Sequence, residues 1–242
     1  MFFEFNHVSY AYDGIPALTN LSFSGERGQI VGLVGENGAG KSTAIKNIVR
    51  FLRPDTGTIY LKETDIMKFG LENYPVSYIP DTPVFYEELS VMEHLQFTRA
   101  IYPNSHANID NILDQFELRE HCYKIPAALS KGTKQKLMIA MALLREYDLL
   151  VADEPFSGLD PKQIAILKQL LVNLKESGKL VLLSSHLLDV VENICDTFVI
   201  IKQGRLLASG TKDELLRAAN LSPDSSMENV YLKLVSGNGK NK

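Results

Sequence analysis

Gln29-Ile30-Val31-Gly32-Leu33-Val34, followed at once by Gly35-Glu36-Asn37-Gly38-Ala39-Gly40-Lys41-Ser42-Thr43, is the stretch that decides the fold. The first part is mostly apolar and reads as a buried strand. The second satisfies the pattern G-x-x-x-x-G-K-[ST] through Gly35, Gly40, Lys41 and Ser42. Ile45, Ile48, Val49 and Leu52 then recur with helical period. Glycines at 35, 38 and 40 let such a turn curl until backbone N–H groups, those of Asn37, Ala39 and Thr43 among them, converge on phosphate oxygens. The helix that follows adds its positive end. Lys41 would neutralise charge on β- and γ-phosphates, and Ser42 would offer its hydroxyl to Mg²⁺. The competing reading is a glycine-rich turn with no ligand. Average residue usage produces the pattern by chance in about one chain of this length in a hundred, and the strand-to-helix context lowers that further.

Working outward, Phe2–Tyr12 alternates and is rich in aromatic and β-branched residues, as a strand is. Asp13-Gly14 marks a turn, and short strands are expected at Leu21–Ser24, Thr58–Leu61 and Val76–Ile79. Arg53-Pro54-Asp55-Thr56-Gly57 stops the first helix. Residues 85–146 carry helical patterns at Tyr86–Ile101, Ile109–Phe116 and Lys131–Arg145 and no convincing strand. Apolar strands resume at Asp148–Asp153 and Lys179–Ser184, around an amphipathic helix at Lys162–Glu176. Phe198–Lys202 and Arg205–Ser209 flank Gln203-Gly204 as a hairpin. Thr211-Lys212-Asp213-Glu214 is a capping box. Gly237–Lys242 reads as a frayed tail. Strands alternating with helices imply right-handed crossovers and a largely parallel sheet. The expectation is a single domain over 1–242, with an α/β core at 1–84 and 147–220. A helical subdomain is inserted at 85–146, and a short helix and tail occupy 221–242.

The chain has 242 residues, 45% of them hydrophobic, and a formal net charge of −4. That balance supplies no general attraction to nucleic acid or anionic lipid, though it leaves room for a local basic patch. Cys122 and Cys195 stand in no CxxC or metal-ligand spacing and read as reduced thiols. The N-terminus has no basic stretch leading into an apolar one, so it does not read as a signal peptide. No apolar run approaches the ~18 residues of a membrane span. If the protein works at a membrane, it must dock on something that spans it.

Asp153 ends the strand Leu149-Leu150-Val151-Ala152, at the carboxyl edge of a parallel sheet where ligands bind, and is a natural anchor for Mg²⁺. Glu154 points elsewhere and is placed to polarise an attacking water as general base. Alone, a strand ending in Asp-Glu-Pro is weak evidence; beside a phosphate loop it is strong.

At this point the chain resembles the nucleotide-binding subunit of ABC transporters, from Phe2 to Val235. Leu129-Ser130-Lys131-Gly132-Thr133-Lys134-Gln135 is similar to the family's LSGGQ signature, departing from it at Lys131 and at Thr133-Lys134. Ser157-Gly158-Leu159-Asp160 matches its D-loop. The resemblance implies α/β architecture: a P-loop NTPase core of mainly parallel sheet with helices, an N-terminal antiparallel β subdomain and an inserted helical subdomain. It implies ATP and Mg²⁺ as cofactors and ATP hydrolysis as the activity. Ser130 and Gly132 would contact the γ-phosphate held by an opposing subunit; the plainer role for Ser130 is an N-cap. Asp160 and Pro161 would likewise suit a plain helix start. His186 resembles the switch histidine beside the γ-phosphate, and Tyr12 the aromatic that stacks on adenine, with Tyr10 as a register alternative. The family's Q-loop glutamine is replaced: Tyr78-Ile79-Pro80-Asp81-Thr82-Pro83 puts Asp81 there, a carboxylate that can still approach Mg²⁺.

The implied partners are a second cassette, identical or paralogous, and a transmembrane permease that keeps the chain peripheral at the cytoplasmic face of the membrane. Ser226–Leu234 resembles the close of bacterial exporter cassettes of the ABC-2 type, serving drug, antibiotic or polysaccharide permeases. Phe85 and Tyr86, beside Asp81, are the expected permease surface. The rival is a soluble cassette ATPase acting on ribosomes or DNA. Those families carry two cassettes or a long coiled-coil insertion, neither of which appears here, so no nucleic acid partner is expected. A P-loop kinase or GTPase would leave the signature segment unexplained, and no guanine-reading Asn-Lys-x-Asp is present.

Overall fold

The computed structural model describes residues 1–103 and 107–237; the tail at 238–242 lies outside them. The chain opens with a long antiparallel pair, β1 (Phe3–Tyr12) and β2 (Ile15–Gly25), turned by Asp13-Gly14. The second strand is longer than the Leu21–Ser24 segment expected. Its polar residues Thr19, Asn20 and Ser22 are left half-buried or exposed, while Leu18 and Leu21 are buried. Then come β3 (Ile30–Val34), α1 (Lys41–Ile48), β4 (Thr56–Leu61), a two-residue β5 (Thr64–Asp65) and β6 (Val76–Ile79).

The helical stretch consists of α2 (Val91–Ile101), α3 (Ile109–Gln115) and α4 (Lys131–Leu143), with single 3-10 turns at Arg119–His121 and Pro126–Ala128. The first of these helices begins at Val91, not at Tyr86. Ser90 accepts the Glu93 N–H, and the Glu93 carboxylate reaches back to the Ser90 N–H. That reciprocal box fixes the start and leaves Val84–Leu89 outside the helix. Next follow β7 (Leu149–Asp153), α5 (Pro161–Glu176), β8 (Leu180–Ser185), α6 (Leu188–Val191), β9 (Thr197–Lys202), β10 (Arg205–Gly210), α7 (Lys212–Ala218) and α8 (Met227–Gly237).

Two sheets result. The smaller has order β2-β1-β4-β5 and is antiparallel; the larger has order β10-β9-β3-β8-β7-β6 and is parallel apart from the edge strand β10. The large sheet is covered on both faces, so β3, β7 and β8 are buried along their whole length, as parallel strands usually are. Alternate residues serve opposite cores. Ile30, Val34, Leu150, Ala152, Val181 and Leu183 pack toward the inserted helices and α5. Val31, Leu33, Leu149, Val151, Leu180 and Leu182 pack toward α1 and the small sheet. Glu117 ties the insertion to the core: its carboxylate accepts from Lys136 of α4 and Lys162 of α5, each at 2.8 Å. Those two lysines hold its pKa down, at about 2. Cys122 and Cys195 are both free thiols.

Phe5 is fully buried and stacks on Phe23 at 4.9 Å, linking the two strands that open the chain. Phe5→Ala is expected to lower unfolding free energy by about 3–5 kcal/mol, the usual cost of an emptied aromatic site. Urea unfolding checks it, and a loss below about 1 kcal/mol would mean the small sheet contributes little to the main core.

Candidate functional site

The site forms where β3, β7 and β8 end side by side. Gly35 leaves β3 with no room for a side chain: a Cβ there would come within 2.5 Å of the Ile201 carbonyl. Gly40, the residue before α1, has φ 109, and a Cβ on it would meet the Ala17 carbonyl at 2.9 Å. The loop is therefore wedged between β9 and β2. It is stitched there by Gly204 N–H to Ala39 O and Thr19 N–H to Gly204 O, both 2.8 Å. The Gly40 start of α1 has no side-chain cap and no acidic residue in its first turn. The free N–H groups and positive end of that helix are thus left for an anion.

Lys41 is only 5% exposed. Its ammonium donates to the carbonyls of Gly35 (2.6 Å) and Glu36 (3.2 Å) and stands 3.7 Å from the Glu154 carboxylate. Glu154 sits in the left-handed region at φ 48, which turns its side chain back over the strand ends. The other carboxylate oxygen of Glu154 meets His186 Nδ1 at 2.8 Å. Lys41, Glu154 and His186 are thus one connected group.

Ser184 is a residue that sequence reasoning missed. It is fully buried, pairs with Asp153 across β7 and β8, accepts the Glu154 N–H at 2.9 Å and donates to Asp153 Oδ1 at 2.5 Å. The signal was present in Ser184-Ser185, which end an otherwise apolar strand. Asp81 lies just past β6, exposed. The phenol of nearby Tyr78 is pushed up to about 12, mainly by burial and then by the carboxylates of Asp153 and Asp81. Both acids therefore stand at the same sheet edge. Ser42 is exposed at the start of α1. Among the described residues no group of three or more His, Cys, Asp or Glu forms a metal cage. The donors at hand, a serine hydroxyl and an aspartate, suit a hard cation that keeps water and phosphate in most of its shell.

Tyr12 is 41% exposed at the hairpin tip, with Tyr10 edge-on to it at 4.9 Å. The signature segment stands apart. Ser130 caps α4 through the Thr133 N–H at 3.1 Å and also meets the Thr133 hydroxyl. No hydrogen bond among the described residues joins it to Lys41, Glu154 or His186. Instead the segment leans on its own chain. The Lys131 side chain lies over Gly158, Gly132 faces Gln163, and Gln135 donates to the Pro155 carbonyl at 3.3 Å.

Comparison with known proteins identifies this architecture. A family model described as ABC transporter matches residues 18–157. The ABC-type transporter ATP-binding protein EcsA of Bacillus subtilis (strain 168) is 41% identical over 229 residues, 92% of either chain. A solved ATP-binding subunit of an ABC transporter is 38% identical with TM-score 0.90, covering 97% of this chain and 100% of its own. An ABC transporter cassette solved in its ADP conformation is 25% identical with TM-score 0.78, covering 96% of this chain and 98% of its own. Fold and site together define a nucleotide-binding cassette with a P-loop NTPase core. The chain belongs to the ABC transporter family, as one of its ATP-binding, ATP-hydrolysing subunits.

Ser184→Ala would strand the Glu154 N–H and one Asp153 oxygen in a buried setting. The expected cost is about 1–3 kcal/mol, measured by chemical unfolding. An unchanged midpoint would show that water replaces the hydroxyl.

Proposed function

We propose that this chain powers a separate membrane permease, as an exporter of the ABC-2 type, working as a pair of cassettes at the cytoplasmic face of the membrane. The observation that carries the reading is the Lys41–Glu154–His186 group beside an uncapped helix start. In this reading residues 1–242 act as one ATPase unit, with the helices of 85–146 inserted into the α/β core. The loop from Gly35 to Thr43 wraps the phosphates, Lys41 offsets their charge, and Tyr12 stacks on the base. Glu154 accepts the proton of the attacking water while His186 holds Glu154 and that water in place. Ser42 and Asp153 hold Mg²⁺, with Asp81 nearby, and the ion supplies charge neutralisation at the phosphates when bound. Ser130 and Gly132 serve the nucleotide of the opposing cassette. What supports that division is their separation from Lys41 within the chain. No helix among the described residues is long and apolar enough to cross a membrane, which accords with a partner that does.

A groove of about 390 Å³ runs between the core and the inserted helices. Val84 (81% exposed), Phe51 (70%) and Tyr86 (57%) offer apolar surface there. Phe85, half-buried, also lines the groove and packs edge-on against His94 at 5.4 Å. The groove is our candidate for the permease surface, with Val84, its most exposed apolar side chain, as the probe.

Glu154→Gln is expected to keep ATP binding while slowing hydrolysis by ~10²–10⁴-fold, the range for losing a general base. Normal turnover in that variant would remove Glu154 from the role. Val84→Asp is expected to leave ATP affinity within about twofold but to prevent co-purification with the permease partner. Undiminished co-purification would move the contact elsewhere.

A further inference from the structure

The start of the phosphate loop is held by the far end of the chain. Glu36 donates its N–H to the Tyr231 hydroxyl of α8 at 3.1 Å. The carbonyl of the same residue accepts from Lys41 (3.2 Å) and from the Ala39 N–H (3.1 Å). Glu36 is therefore a relay: one side is fixed by α8, the other fixes the ammonium group of the loop. Gly35, pressed against the Ile201 carbonyl, leaves this limb little freedom toward β9.

The helix that supplies the hydroxyl is itself anchored at three points. The Glu192 carboxylate accepts the Met227 N–H at 2.8 Å, and Lys202 donates to the Val235 carbonyl at 3.0 Å. The third anchor is apolar: the side chains of Met227 and Val230 are fully buried. A cavity of about 360 Å³ lies between loop and helix, bordered by Gly35, Glu36, His186, Asp189, Tyr231 and Leu232. Two segments of the site, the loop and the turn carrying His186, thus face α8 across one space. Burial, then the Glu36 carboxylate, raises the Tyr231 phenol above its ordinary pKa, so the hydroxyl keeps its proton.

We propose that Tyr231 is a positioning residue of the phosphate loop, so that nucleotide affinity is linked to the docking of α8. The inference rests on the reading of Gly35–Thr43 as the phosphate site. By linkage, nucleotide binding then strengthens docking of the helix as much as docking strengthens binding.

The experiment measures ADP and ATP dissociation constants by calorimetry for wild type, Tyr231→Phe and Lys41→Ala, with steady-state hydrolysis beside them. Tyr231→Phe keeps the ring and removes only the hydroxyl. It is expected to weaken nucleotide binding about three- to tenfold, the worth of one hydrogen bond. Its kcat should stay within about twofold, and the melting temperature of the nucleotide-free protein should fall by no more than about 2–4 °C, the shift one lost hydrogen bond produces in a domain of this size. Affinity equal to wild type in Tyr231→Phe, with binding lost in Lys41→Ala, overturns the inference and leaves the phosphate site standing. Binding retained in Lys41→Ala would instead overturn the phosphate site. Hydrogen exchange on the wild-type protein gives an independent reading should the phenylalanine variant not fold. ADP should slow exchange at the backbone amides of Glu36 and of α8 by at least about threefold; unchanged exchange in α8 refutes the link.

Discussion

A nearly buried ammonium group sets the terms for this structure. Removing an unpartnered charge from water costs several kcal/mol even after relaxation, and Lys41 is almost fully enclosed. Its partners are two backbone carbonyls and one carboxylate. The carbonyls require the loop to fold back on itself, hence glycines at the points where it presses on β9 and β2. The carboxylate requires Glu154 to leave β7 in a left-handed turn, a conformation costing about 1–2 kcal/mol for an ordinary residue. Ser184 secures that turn from the neighbouring strand. Geometry that could pass for catalytic design is thus also what makes the buried charge tolerable.

Much of this was legible in the sequence because the strongest signals were local. A strand, a glycine turn and a helix are contiguous from Gln29 to Leu52, and so are the apolar run and acids at Leu149–Glu154. The α/β class with its parallel sheet followed from the alternation of strands and helices, and the antiparallel N-terminal sheet from the family resemblance. What was not legible depended on contacts distant in the chain. Ser184 gains meaning only when β8 lies beside β7, and Tyr231 only when α8 returns to the loop. The start of α2 was misjudged for a different reason. Residues 86–90 carry enough apolar character to extend the helical period, but the Ser90–Glu93 box stops it. Phe85 lines the groove beside Val84 and Tyr86, but its ring is half-buried against His94, a contact that no local sequence pattern announces.

The inserted helices are joined to the core by contacts of two kinds. Apolar packing is continuous, since α4 shares one core with β7 and α5. Polar links join them as well: Gln135 to Pro155, the Glu117 bridge from α4 to α5, the Ser77 hydroxyl of β6 to the Ala142 carbonyl of α4, and Arg145 to the Tyr74 carbonyl, with Lys131 lying over Gly158. The signature segment and the residues following Glu154 are therefore in mechanical contact within one chain.

The double burial of β3, β7 and β8 has a consequence for how the chain finds its sheet. In a strand with one wet face, slipping by one residue drowns its apolar side chains, and that penalty sets the alignment. Here a slip would only trade Leu33 for Val34, or Leu182 for Leu183, between two dry cores. Hydrophobicity alone is nearly blind to the error. The marks that distinguish right from wrong are polar and stand at the strand ends: Ser184 against Asp153 and the Glu154 N–H at one end, Asp196 against the Ile30 N–H at the other. Residues at the reactive edge of the sheet thereby double as its ruler, and losing them would blur the register of the fold as well as its chemistry.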